Sequence, residues 1–176
     1  MEQKATSAKS IMINFGLVLG IISVFIGVVN YVTGTYLDRN WITGTIGFLA
    51  SVLIYVWGIN TFKKGNGGYL KLTQALKIGM GIALIAGIIG AIWQLVLMTV
   101  LVPDFVDQVV NLQIEAALES GRATEAQLDQ SRGIMRKLSG PAIYVPIVII
   151  ITLFFGFIIS LIAGLIMKKE NPYEDA

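Results

Sequence analysis

Asp104 and Asp107, two carboxylates one helical turn apart, are the pair in this chain whose type and spacing best suit acid–base chemistry or a cation. They follow Pro103 and open a helix-periodic segment, where acids ordinarily complement the unpaired N–H groups and positive dipole end of a helix. That structural role is the stronger reading of the pair, and an enzyme using carboxylates at the outer membrane interface the weaker. A second candidate is KKGNGGYLKLTQALK, Lys63 to Lys77, with glycines at 65, 67 and 68. A phosphate-binding loop needs a preceding strand and a Gly-Lys-Ser/Thr at the start of a helix, so that backbone N–H groups and the lysine converge on the phosphates. Neither is present here, and the segment reads as a turn flanked by lysines. Cysteine and histidine are both absent, which removes disulfides, thiolate nucleophiles and the commonest metal ligands and general bases. The expectation is a protein without catalytic residues, cofactor or metal site.

The elements that carry these residues belong in a membrane. Charged residues make up 14% of the chain, against about 25% in soluble domains. They are confined to the ends and to the connections between apolar runs. About 20 apolar residues cross the ~30 Å hydrocarbon core, and four runs are long enough: about 11–34, 41–62, 78–102 and 141–167. The first is too long for a signal-peptide core and lacks a small-x-small cleavage site, so it reads as a retained anchor. Tyr31, Tyr36 and Trp41 cluster at the first turn, where amphipathic rings favour the headgroup level. Pro103 lacks an N–H and disfavours helix in the residue before it, so the third run should kink or restart there.

Between the third and fourth runs, residues 104–138 are charged and amphipathic. Phe105, Val109, Leu112 and Ala116 recur at helical spacing, and Gly121 is a plausible stop. Thr124 with Gln127 fits a capping box that starts a second helix, whose apolar stripe is Leu128, Met135 and Leu138. The fold class expected is all-α: one membrane domain over 1–176, a four-helix bundle with an extramembrane helical hairpin at about 104–138.

Four spans put both termini on one side. That side carries Lys4, Lys9, Lys63, Lys64, Lys71, Lys77, Lys168 and Lys169, against Arg39, Arg122, Arg132, Arg136 and Lys137 on the other. The positive-inside rule then places both termini in the cytoplasm and the hairpin outside. Lys63, Lys64, Lys71 and Lys77 are the expected contacts to lipid headgroups, each worth about 1 kcal/mol near an anionic surface. A net charge of +2 is too slight and too scattered for nucleic acid.

Within the spans, small residues fall on helix faces: Gly16, Gly20, Ser23 and Gly27 in the first, and Gly79, Ala83, Ala86 and Gly90 in the third. Gly-Phe-x-x-Ser occurs in both the second and the fourth, as Gly47…Ser51 and as Gly156…Ser160. The repetition is compatible with a duplicated two-helix unit. Small stripes let helix backbones approach where lipid supplies no hydrophobic drive. They serve packing within one bundle or homodimerisation, and the pattern alone does not choose. No Asp, Glu, Lys or Arg lies inside an apolar core, which argues against a proton-coupled pump or voltage sensor. The polar residues left are the amides Asn14, Asn30, Asn60 and Gln94, candidates for hydrogen bonds between helices.

The chain resembles the bacterial membrane proteins grouped as domain of unknown function 4199. The matching features are Asn60-Thr61-Phe62-Lys63-Lys64, then Leu72 to Gly79, then Val102-Pro103-Asp104-Phe105, and a fourth span ending in Lys168-Lys169. The resemblance implies a multi-pass inner-membrane protein and carries no functional residues. The function expected is a scaffold or interaction protein using its hairpin on a partner or on its own copies. An oligomeric small-molecule or lipid transporter or channel is the alternative.

Overall fold

The computed structural model describes residues 7–38, 41–121 and 123–170. Lys4, Arg39 and Arg122, part of the charge count above, lie outside the described residues. The described chain is all-helical, with four helices long and apolar enough to cross a membrane.

α1 runs Ala8–Val32, starting where the Ser7 hydroxyl accepts the Ser10 N–H at 3.2 Å. It stops at Thr33, whose hydroxyl turns back to the Val29 carbonyl at 2.8 Å, and Gly34 takes a positive φ of 72°. α2 runs Trp41–Gly65 and α3 Leu72–Val96. The turn between them uses positive φ at Gly67 and Gly68, which glycine adopts without a Cβ penalty.

α3 begins six residues before Ile78, where hydropathy placed the third span. Lys71 and Lys77 mask the start of the helix, which is set by capping: the Gln74 side chain accepts the Lys71 N–H at 2.9 Å. α3 continues through a π-helical turn, Leu97–Leu101, closed by the Val102 N–H on the Leu97 carbonyl at 2.8 Å. With that turn the third span covers Leu72–Leu101, 30 residues, or about 45 Å of helix. It is longer than the ~30 Å apolar core requires.

α4 is Phe105–Glu119, α5 Glu125–Ser139 and α6 Pro141–Met167. α4 and α5 form the hairpin between the third and fourth spans. Gly121 makes the stop at φ 63°, and the Gln127 side chain accepts the Thr124 N–H at 3.0 Å. The hairpin closes over Val110, Ile114 and Leu128, flanked by Ala117, Ala123 and Met135. This corrects the expected stripe on α4. Phe105 is buried, but Leu112 is 46% exposed and Ala116 is exposed, while Val110 and Ile114 face α5. α4 is apolar around much of its circumference, so spacing alone permits two stripes. Leu138 of α5 is likewise 56% exposed.

The chain divides into two compact units, one of residues up to Gly90 with those from Ile149 onward, the other of Ala91–Val148. The first holds the bundle core: Ile11, Leu19, Ile54, Tyr55, Ile59, Leu70, Ile78, Ile82, Ala83 and Ile159, among others. The second holds the hairpin, and in it the Phe105 and Tyr144 rings meet edge to face at 6.4 Å.

Candidate functional site

The acid pair is committed to local structure. The Asp104 carboxylate accepts the Gln108 amide at 2.8 Å, and Asp107 pairs with Arg136 of α5 at 2.9 Å, both partners largely exposed. Among the described residues no group of three or more acidic, histidine or cysteine side chains could hold a metal ion.

What the fold builds instead is a tightly packed small-residue seam. A methyl added at Gly16 would fall 2.7 Å from Ile85 Cβ, and at Gly20 2.9 Å from Ile89 Cβ, so α1 lies directly on α3 there. At Gly79 it would strike the Ser160 hydroxyl and lie 2.5 Å from Ser160 Cβ. Ser160 is fully buried, and its hydroxyl donates to the Gly156 carbonyl. A methyl at Gly156 would meet Ala83 Cβ at 2.5 Å and the Tyr55 hydroxyl at 2.9 Å. Tyr55 of α2, 2% exposed, therefore sits where α3 and α6 converge. Ala86 is also buried.

Three residues of the sequence stripes stand elsewhere. Ser23 is exposed, with its hydroxyl on the Gly20 carbonyl of its own helix at 2.8 Å. Gly27 is half-buried, and Gly90 is half-buried with no heavy atom within 4 Å of the added methyl position. Three close approaches escaped the sequence reading: Gly58 against Ile82 and Phe15, Gly81 against Met12, and Gly164 against Ala75 and Leu72. Gly164 continues the Gly156–Ser160 spacing by one more turn, a signal that was available. Tyr55 gave none, because its partners come from helices distant in sequence.

Among the described residues no hydrogen bond joins these amides from one helix to another. Asn14 is exposed, and its side chain reaches Ser10 of its own helix at 3.5 Å; Asn60 is half-buried. Asn30 and Gln94 are half-buried; the Asn30 backbone carbonyl receives the Thr35 N–H at 2.9 Å.

The lysines divide into two groups. Lys63 reaches across to α6 and donates to the Met167 carbonyl at 2.8 Å, satisfying an acceptor that the helix end leaves open. Beside it Leu70 and Lys169 exchange backbone hydrogen bonds at 2.8 and 3.0 Å, and the Lys169 ammonium lies 5.5 Å from the Tyr69 ring centre. Lys168 pairs with Glu170 at 2.9 Å. That hydrogen bond, then the Lys168 charge, holds the exposed Glu170 carboxyl below its usual range, so the pair forms above that lowered pKa and is lost as pH falls through it. Lys71 is half-buried, whereas Lys64 and Lys77 are exposed. Lys63→Met is expected to lower stability by about 1–2 kcal/mol, since it removes a charge-assisted bond at a helix C-terminus. A lower midpoint of thermal unfolding in detergent, with Lys64→Met unchanged as control, checks it.

Four apolar spans, a seam of close backbone approaches and a lysine-bearing helix end define a multi-span helical membrane protein. The family described as Protein of unknown function (DUF4199) matches residues 14–169, and the chain belongs to that family. No curated protein and no solved structure matches it.

Proposed function

We propose that this is a non-enzymatic scaffold or interaction protein of the bacterial inner membrane that engages a protein partner through its hairpin. The observation that carries the reading is the second apolar face of α4, where Leu112, 46% exposed, and the exposed Ala116 one turn on stay uncovered after the hairpin has closed its own core. A contiguous apolar face left open on a helix outside the spans is the kind of surface that a protein partner covers. Both termini lie in the cytoplasm and the hairpin outside, by the lysine distribution. Lys64 and Lys77 meet anionic headgroups there, while Lys63 is held by α6. A photo-crosslinker at Leu112, with one at Glu125 near the hairpin tip, is expected to capture a discrete protein in native membranes. Capture of nothing at either position overturns the reading.

A second reading, an oligomeric transporter or channel, is supported by the burial pattern. No residue of 21–32 in α1, 41–53 in α2 or 141–155 in α6 is buried within one chain. Other copies would cover such surfaces. Solute flux into protein-loaded vesicles no faster than into empty ones removes that reading.

A further inference from the structure

We infer that α5 rests on the bilayer surface, with Ile134 and Leu138 seated among lipid headgroups and upper acyl chains. The two side chains are 63% and 56% exposed, four residues apart on one face of the helix. At about 100° per residue they lie roughly 160° around α5 from Arg136, and Ile134 lies as far from Arg132. That opposite flank is polar and tied to α4: Arg136 bonds Asp107 at 2.9 Å and Arg132 bonds Asn111 at 3.4 Å. The last turns of α5 are therefore amphipathic, with an ion-paired side against α4 and a bare apolar side opposite.

Continuity with the lipid-facing surface of the fourth span identifies the occupant. Gly140 alone separates α5 from α6. Along the chain, exposed apolar residues continue on both sides of this one-residue junction: Ile134 and Leu138 before it, Ile143 and Ile147 after it. Leu138 and Ile134 precede the first residue of α6 by about 5 and 10 Å of helix. Headgroups extend about 5–8 Å beyond each side of the hydrocarbon core. A helix leaning onto this layer places both side chains at the depth where amphipathic surface helices bury their apolar faces. The inference is independent of the partner reading, which rests on Leu112 and Ala116 of α4.

The absence of native cysteine makes the test direct. Single-cysteine proteins, Ile134→Cys, Leu138→Cys and Asp129→Cys, are labelled with an environment-sensitive fluorophore. They are then reconstituted in phosphatidylcholine vesicles containing phosphatidylglycerol. A nitroxide on the upper acyl chain is expected to quench labels at 134 and 138 severalfold and leave 129 unaffected, with aqueous iodide giving the reverse. Because the same dye stays wet at 129, its own greasiness cannot account for that result. Iodide quenching at 134 and 138 equal to that at 129 overturns the inference. So does shielding from both quenchers with energy transfer between differently labelled chains, which would assign the flank to a second copy.

Discussion

Gly79→Ala is expected to destabilise the protein by about 3 kcal/mol, near the upper end of the usual cost of overpacking. Gly90→Ala, on the same stripe of the same helix, should be neutral or slightly stabilising. The added methyl at Gly79 occupies the position of the Ser160 hydroxyl, and Ser160 has no free volume to move into. Relief requires α3 and α6 to separate, or Ser160 to turn and give up its bond to the Gly156 carbonyl. At Gly90 nothing stands within 4 Å, so alanine gains only its better helix propensity, up to about 1 kcal/mol. Thermal unfolding in detergent measures both. Ser160→Gly combined with Gly79→Ala should recover much of the loss, and a double-mutant cycle that is merely additive would show that the two do not meet. Gly20→Leu and Ala83→Leu should likewise abolish folding, rather than dissociate a folded dimer.

Leu128→Ala should open the hairpin while leaving the spans folded. Among the described residues Val110, Ile114 and Leu128 make its buried core, and truncating one large side chain there costs about 2–3 kcal/mol. Such a loss raises the locally open population roughly 30- to 150-fold. Tryptic cutting at Arg132, Arg136 and Lys137 reports it, and the helical signal of the spans should persist. Leu112→Ala, on the exposed face of α4, should leave cutting unchanged yet weaken capture of a partner. Identical behaviour of the two variants would mean that Leu112, not Leu128, closes the hairpin.

The spans and the hairpin were legible because each rests on a contrast that the solvent enforces. Lipid demands long uncharged runs, and water demands a periodic mixture with stops such as Gly121 and caps such as Gln127. Inside the membrane that contrast disappears. Ile82, fully buried, and Ile88, lipid-facing, look alike to hydropathy, so the convergence on Tyr55 was invisible. Small residues marked half of the seam correctly in kind: Gly16, Gly20, Gly79 and Gly156 make close approaches, whereas Ser23 and Gly90 do not. Spacing identifies a face but not the neighbour opposite it. The early start of α3 was hidden because Lys71 and Lys77 look like loop residues, although long lysine stems reach headgroups from within a helix.

The hydrogen-bonded join between Leu70 and Lys169, with Lys63 on the end of α6, lies at the same ends of the spans as the buried core. The far halves of α1 and α2 carry no buried side chain. Bilayers of different thickness oblige a span to tilt or bend, and in α1 and α2 the far halves can do so without opening the buried cluster around Tyr55. Within this unit the lysine end and the knot at Tyr55 hold the spans together, while the outer halves of α1 and α2 are left to adapt to a thin or a thick membrane.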